Sequence, residues 1–215
     1  MNAAAQDVET ILNKVRAKLE TVNDYEAVGE MKTNISFLKT ANATVTVFFK
    51  RPNKLKIKNE QGISLVPKGS VSLSLNNLVS GKYQIIDGGK EKINGKEVAV
   101  IKLLPTDETT DVVLSTLYID VESMLVVRAR TTTRDNGTNE LEMSYGRYAA
   151  NALPDRVVFS FNTQEYKLPK GVTFDYDDGS AKKKTAETAK DKKGKIEIVY
   201  RTYKINKGIA DAVFK

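Results

Sequence analysis

The chain of 215 residues contains no cysteine, no histidine and no tryptophan. Without cysteine it forms neither disulfides nor thiolate nucleophiles, and without histidine it lacks the commonest general base and a common zinc ligand. Classes of enzyme that depend on these side chains are therefore excluded. A lack of cysteine is compatible with an exported protein and with a cytosolic one, so it does not assign a compartment.

Long apolar segments are also missing, because no run approaches the roughly 20 residues that a membrane-spanning helix needs. No signal peptide is present, yet the chain opens with Met1, Asn2 and three alanines. Such a start is compatible with a start codon that replaces a cleaved signal peptide. A native cytosolic start is the alternative.

The charge of the chain is unevenly distributed. The formal net charge is +7, from 34 lysines and arginines against 27 acidic residues. Residues 181–195 hold seven lysines and two acids, so this one stretch accounts for five of the excess positive charges. A solvated loop is the favoured interpretation, because few aromatic residues stand beside these lysines as platforms for stacking bases. Nucleic acid is therefore not an expected partner.

About ten segments alternate apolar and polar residues with a period of two, which is typical of strands with one buried and one wet side. In residues 195–205, for example, Ile196 and Ile198 share one side, whereas Glu197 and Arg201 share the other. Strands are expected over residues 25–37, 43–50, 54–59, 62–66, 83–87, 97–103, 114–121, 125–133, 139–148, 156–163 and 195–205. Their spacing predicts an antiparallel meander in which each strand pairs with the next.

Two segments predict helices. Residues 7–22 repeat apolar side chains at helical spacing and form one amphipathic helix. Residues 70–80 fit both a helix and a strand, and we favour a short helix that ends at Gly81 and covers the sheet. The fold class is thus mainly β with few helices, in a single domain over residues 1–215. So little helix leaves much of the apolar side of the sheet to be covered, which predicts a binding cavity.

Motifs for nucleotide binding or for a serine nucleophile do not occur. Residues 175–180 begin like a calcium loop, but the fifth and twelfth loop positions hold Gly179 and Ala186 instead of oxygen ligands, so a tight turn is favoured. A glycolipid hydrolase requires paired carboxylates in its cleft, whereas the acidic residues here fall mostly on outward positions. We therefore predict no enzymatic activity, no cofactor and no metal.

Arg51, Pro52 and Asn53 lie between the second and third predicted strands. Proline and asparagine favour turns, so an ordinary hairpin turn is one interpretation. The other is functional, because Phe49 and Leu55 flank Arg51 on the apolar side and place it at the mouth of a concavity. An arginine there would latch a covering helix by donating hydrogen bonds to the free carbonyls at its end.

The order of these elements resembles the LolA-like family of periplasmic outer-membrane lipoprotein carrier proteins. The segments that carry the resemblance are 51–57 (RPNKLKI), 118–120 (YID), 125–128 (LVVR), 153–155 (LPD) and 203–214 (YKINKGIADAVF). The resemblance implies an unclosed, curved antiparallel β half-barrel with helices over its concave face. It also implies a lid that Arg51 tethers and a cavity that carries lipoprotein acyl chains across the periplasm.

On this resemblance we expect a monomer in the periplasm that binds lipoprotein acyl chains or another lipid and meets transient protein partners at the inner and outer membranes. The inward-facing residues expected to bind the ligand are Tyr25, Phe37, Val47, Phe49, Leu55, Ile57, Leu75, Leu78, Met143 and Tyr145. Core packing is the alternative for each. Proteins of this fold also sense or bind lipoproteins without transport, so an envelope sensor or scaffold is the second hypothesis. A carrier predicts a roomy apolar cavity, and a sensor predicts a collapsed cavity and a large exposed apolar patch.

Overall fold

Residues 3–34, 42–59, 75–162 and 193–214 are described by the computed structural model of the chain. The helices are α1 (Ala3–Glu20) and α2 (Leu75–Ser80), and two short 3-10 helices span Ala149–Asn151 and Asp211–Phe214. The strands are β1 (Asp24–Asn34), β2 (Ala43–Lys50), β3 (Lys54–Asn59), β4 (Tyr83–Ile93), β5 (Lys96–Pro105), β6 (Val112–Asp120), β7 (Leu125–Thr133), β8 (Gly137–Ser144), β9 (Arg156–Asn162) and β10 (Lys193–Ile205).

The ten strands form one antiparallel sheet in the order β3-β2-β1-β10-β9-β8-β7-β6-β5-β4. Among the described strands, β3 and β4 are the two edges and do not pair with each other, so the sheet is unclosed. Strands twist relative to their neighbours, and a sheet of this many strands curves as the twist accumulates. The predicted fold class, a mainly β, curved half-barrel, is confirmed.

The predicted pairing of each strand with the next is confirmed from β1 to β3 and from β4 to β10. The predicted strand over residues 62–66, which follows β3 in the predicted meander, lies outside the described residues. β3, which ends at Asn59, and β4, which begins at Tyr83, lie at opposite edges of the described sheet. β1 pairs with β10 as well as with β2, and Tyr25 lies opposite Ile205 in the pairing with β10. Alternation tells which side of a strand is buried, but it does not tell which strand lies beside it.

Some predicted boundaries agree with those of the structure, whereas β4 runs six residues beyond the predicted end at residue 87 and β8 ends four residues before residue 148. The helix expected over residues 7–22 is confirmed as α1, and β2, β3 and β7 begin and end at the predicted residues. α2 confirms the helical alternative for residues 75–80. The predicted strand over 62–66, the turn over 175–180 and all but the last three residues of the lysine-rich stretch lie outside the described residues.

α1 lies across the concave face, against β4, β5 and α2. Its buried side chains follow the helical spacing seen in the sequence and comprise Val8, Ile11, Leu12, Val15 and Leu19. They join one core cluster with the inward residues of the sheet, such as Val45, Ile101 and Leu117. The convex face instead carries charged residues that pair between neighbouring strands, namely Glu26–Lys204, Glu30–Arg201, Arg156–Glu197, Arg128–Glu142 and Arg130–Glu140. The sheet therefore has one apolar and one wet side, as the alternation predicts.

Candidate functional site

An apolar cavity of about 90 Å³ lies between the concave face and the two helices. Its wall comes from six strands, β1, β2, β3, β8, β9 and β10, and from Leu19 of α1 and Leu75 of α2. The described residues that line it are aliphatic or aromatic residues, methionine and proline, and none of them carries a charge. The site thus offers hydrophobic contact and dispersion rather than acid–base chemistry.

Six of the ten residues predicted to bind a ligand line this cavity, namely Tyr25, Val47, Leu55, Ile57, Leu75 and Met143. Leu78 and Phe49 are buried in the core, where Phe49 stacks on Tyr25 with ring centroids 5.2 Å apart. Tyr145 lines a second pocket, of about 500 Å³, and its hydroxyl donates to a backbone carbonyl of β7 over 2.9 Å. Phe37 lies outside the described residues. The ligand-binding roles of these residues stay predictions.

Much of the cavity wall consists of residues outside the set predicted to bind a ligand. This part comes from β8, β9 and β10 and includes Leu141, Val157, Phe159, Ile196, Ile198, Tyr200 and Tyr203. The alternation of apolar and polar residues in β10 predicts an apolar side that carries Ile196 and Ile198. The missing information was the pairing of β1 with β10, which brings that side next to Tyr25 and Met31. The apolar side of the last strand was therefore the sequence signal that could have identified these lining residues.

Tyr203 reaches the cavity because of a β-bulge. Strict alternation would place Tyr200 and Tyr203 on opposite sides of β10, since they are three residues apart. The register with β1 shifts between them, because Gly29 pairs with Tyr200 whereas the preceding residue of β1 pairs with Thr202. Arg201 is the extra residue of this bulge, which aims both tyrosines at the concave side.

Three tyrosines meet at one end of the cavity. The ring of Tyr203 contacts the rings of Tyr25 and Tyr200, with centroid distances of 5.4 and 5.1 Å. The hydroxyl of Tyr203 donates a hydrogen bond to the carbonyl of Pro154 over 2.8 Å. Burial raises the pKa of all three phenols well above the ordinary value of 10.0. These hydroxyls therefore stay protonated at physiological pH and the site stays neutral.

Arg51 joins the sheet to the end of α1. Its Nη1 donates to the backbone carbonyl of Glu20 over 3.2 Å, and its Nη2 lies 3.3 Å from Oε1 of the same residue. The last carbonyls of a helix have no partner within the helix, so a donor from outside stabilises this end. The guanidinium also adds a positive charge at the negative end of the helix dipole. This contact has the geometry that was expected of a latch.

Asn206 holds the same end of α1 from the other side. Its Nδ2 donates to the carbonyl of Thr21 over 2.9 Å, and its Oδ1 accepts from the backbone amide of Asn23 at 2.7 Å. A third contact lies further back, where the Nζ of Lys18 donates to the carbonyl of Ser123 over 2.8 Å. The end of the covering helix is therefore clamped between the β2–β3 turn and the segment after β10.

Arg16 joins the two helices. It projects from α1, and its Nε donates to the carbonyl of Val79 in α2 over 2.7 Å. A pocket of about 360 Å³ lies between these contacts and is lined by Arg16, Arg51, Leu19 and Val79, among others. Leu19 also lines the apolar cavity, so the two spaces adjoin at the last turn of α1. α1 and α2 thus form one cover that is fastened at its rim.

Within the described ranges, neither helix combines the length and apolar character needed to cross a bilayer. The same residues contain no group of three or more side chains that would hold a metal ion.

The family to which the chain belongs follows from a match with one protein-family model. The model of the MucB/RseB N-terminal domain family matches residues 14–144, which is more than half of the sequence. The chain belongs to this family. The part that matches the MucB/RseB model runs from α1 through β8 and contains both Glu20 and Arg51, whereas Tyr200 and Asn206 lie beyond it. No curated protein matches the sequence significantly.

Solved structures share the fold of this MucB/RseB-family chain. A DUF1329 family protein from Desulfovibrio piger matches with a TM-score of 0.62 and 11% identity, over 100% of this chain and 98% of its own. A LolA superfamily protein from Nitrosomonas europaea matches with a TM-score of 0.60 and 12% identity, over 96% of each chain. A domain assigned to outer membrane lipoprotein sorting in Vibrio parahaemolyticus reaches a TM-score of 0.58 at 14% identity, over 95% of this chain and 94% of its own. The LolA-like half-barrel predicted from the sequence is confirmed.

Proposed function

We propose that this protein binds the acyl chains of lipoproteins, or of another lipid, beneath α1 and hands them on toward the outer membrane in the periplasm. The observation that carries the proposal is the uncharged cavity lining together with the cover that Arg51 fastens at the rim. Fold relatives named for the LolA superfamily and for lipoprotein sorting support this class of ligand. On this proposal the protein acts as a monomeric binding protein, not as an enzyme, with transient partners at each membrane.

Loading requires the cover to move. Sites for small molecules have volumes of about 300–1,000 Å³, whereas this cavity has about 90 Å³. An acyl chain gains about 0.8 kcal/mol for each buried methylene, so a chain of about a dozen methylenes gains roughly 10 kcal/mol before the costs of opening. That gain offsets part of the cost of exposing the apolar side of α1 when the helix leaves the concave face. The contracted cavity then corresponds to a closed conformation of the cover.

Arg51 acts in this proposal as the residue that favours the closed state. Its contact with Glu20 exists only while α1 lies on the sheet, so it helps to close the cavity and to expel the ligand. Arg51→Leu removes that contribution and traps the ligand. We expect slower dissociation of a fluorescent acyl lipopeptide from Arg51→Leu than from the wild type. Arg134→Leu, at an exposed position in the β7–β8 turn, is the matched control. Equal dissociation rates in all three proteins would exclude the latch role.

Native mass spectrometry with lipid extraction on gently purified protein is the experiment that tests the function itself. We expect either a bound acylated species or stoichiometric uptake of an added triacylated lipopeptide. The same peptide without acyl chains is the control, and it is expected not to bind. A protein that is free of lipid and takes up neither peptide is not a lipid carrier.

The second candidate is an envelope sensor or scaffold that binds a protein or lipid signal without transport. The small volume of the cavity favours it, because a collapsed cavity is what this hypothesis predicts. The large exposed apolar patch that it also predicts has weaker support, since the large apolar side chains exposed by more than a third are Ile86, Leu104, Val113 and Val199 in the described residues. A stable complex with one envelope protein, formed equally by Arg51→Leu and wild type and without lipid, would favour this candidate.

A further inference from the structure

The tyrosines at the concave side of the sheet differ in how their hydroxyls are used. Tyr203 and Tyr145 each donate to a backbone carbonyl, those of Pro154 and Val126. The hydroxyls of Tyr25 and Tyr200 have no hydrogen-bond partner among the residues that the structure describes. Tyrosine hydroxyls in apolar surroundings usually find a partner. Tyr200 is buried and Tyr25 is half-buried, so these two hydroxyls are left to a ligand or to solvent that reaches the cavity.

Both free hydroxyls belong to the cavity. Tyr25 and Tyr200 line it, and Tyr200 is only 7% exposed. Their rings contact the same ring, that of Tyr203, from two sides. Tyr25 lies opposite Phe49 in the pairing of β1 with β2, two residues from Arg51. The two tyrosines are thus grouped at the end of the cavity that lies toward Arg51 and the end of α1.

The chemistry of this pair selects one kind of ligand group. Burial raises the pKa of both phenols, so at neutral pH each one is a neutral donor. A donor in an apolar site requires an acceptor on the ligand. The described lining residues include no cation that would balance a carboxylate, and a buried unpaired charge is costly. A neutral carbonyl is therefore the acceptor that fits.

We propose that the hydroxyls of Tyr25 and Tyr200 donate hydrogen bonds to the ester or amide carbonyl that joins an acyl chain to its head group. This inference rests on the proposed function, and it makes the two tyrosines the residues that determine specificity. The chain extends from them along the apolar wall toward Ile57 and Phe159, and the head group remains at the rim beside α1. The site then prefers ester- or amide-linked chains over free fatty acids and over ether-linked chains.

The test uses two lipids that differ only in the carbonyl groups: dipalmitoylglycerol, with ester links, and di-O-hexadecylglycerol, with ether links. Competition with a fluorescent acyl probe gives an affinity for each. A net contribution typical of one hydrogen bond changes affinity by about 2- to 12-fold, so the wild type is expected to prefer the diester by at least that factor. Palmitate is expected to bind more weakly than the diester at neutral pH.

The double variant Tyr25→Phe/Tyr200→Phe removes the hydroxyls and keeps the rings. We expect its affinity ratio for diester over diether to fall to about 1, with an unchanged affinity for the diether. Tyr118→Phe, which lies in the small cluster on the outer face, is expected to keep the wild-type ratio. In thermal unfolding, Tyr203→Phe is expected to lower the Tm because it leaves the Pro154 carbonyl without its donor, whereas Tyr200→Phe is not.

Two results would overturn the inference and leave the proposed function intact. One is a wild type that binds both lipids with equal affinity, and the other is a double variant that keeps the wild-type preference. A wild type that binds neither lipid would overturn the proposed function and this inference with it. The outcomes are distinguishable, because the affinity for the diether reports burial of the hydrocarbon chains alone, whereas the diester-to-diether ratio reports the contribution of the hydroxyls.

Discussion

Arg51 and Glu20, 31 positions apart in the sequence, are joined by a hydrogen bond from the Arg51 guanidinium to the backbone carbonyl of Glu20 over 3.2 Å. The first residue belongs to the turn at the edge of the sheet and the second ends the helix that covers its concave face. The bond therefore connects the two parts between which the cavity lies. On the proposed function, lifting α1 breaks this bond, so its strength would enter into the balance between open and closed states.

The contacts at the end of α1 are expected to control how often this end opens. Arg51→Leu removes a hydrogen bond from a charged donor that is about one-third exposed, so we discount it for solvent screening to about 1 kcal/mol. Amide hydrogen exchange in the last turn of α1 is then expected to rise roughly fivefold. Asn206→Ala, which acts on the neighbouring carbonyl, is expected to have a similar effect. Unchanged exchange in both variants would show that these contacts do not hold the helix.

Arg16 is expected to position α2 without affecting the sheet. Arg16→Met keeps the apolar stem and removes the donor to the Val79 carbonyl, which is worth about 1–2 kcal/mol. We expect faster hydrogen exchange in α2 and wild-type exchange in β8 and β9. Lys14→Met, at an exposed position of the same helix, is the control. Exchange in α2 equal to that of the control would mean that α2 is held by its buried side chains alone.

Gly29 is expected to be required by the bulge that aims Tyr200 into the cavity. A Cβ on Gly29 would lie 2.7 Å from the carbonyl oxygen of Val199 and 3.2 Å from the Cα of Tyr200, and neither backbone atom moves easily. Gly29→Ala is therefore expected to lower the free energy of unfolding by about 1–3 kcal/mol. Urea denaturation measures this loss, and near-ultraviolet circular dichroism reports the displaced tyrosines. Val28→Ala, on the outer side of the same strand, is the comparison, and an equal loss there would contradict the prediction.

Asp120 is expected to make stability depend on pH in the acid range. Burial disfavours its charge, but hydrogen bonds from the backbone amides of Glu122 and Ser123 outweigh this effect and hold the pKa below its usual value of 3.8. A carboxylate with a lowered pKa stabilises the fold above its unfolded-state pKa, and the contribution disappears as the pH falls through the folded-state value. Asp120→Asn is expected to cost about 1 kcal/mol at pH 7. The difference in free energy of unfolding between wild type and Asp120→Asn is expected to narrow as the pH falls. Denaturation curves that give the same difference at every pH would contradict this account.

Much of the cavity wall was predictable because strand alternation is a local property. The side chains of Val47, Leu55 and Ile57 face inward in the structure, as the period of two in β2 and β3 requires. The same reasoning identified α1, since its buried residues repeat at the spacing of a helix. Phe49 and Leu78 show the limit of reasoning from periodicity. Both are buried as expected, yet whether a buried residue lines a cavity or fills the core depends on what packs against it.

The sequence alone determined the sides of the strands, the covering helix, the uncharged character of the concavity and the candidate latch at Arg51. The tertiary structure decided the pairing of β1 with β10, the bulge at Arg201 and the partner that Arg51 finds in Glu20. It also decided the small volume of the cavity. The physical reason is the range of the interactions. Periodicity and turn preference act over a few residues, whereas register, bulges and voids arise only when distant segments come into contact and compete for the same space.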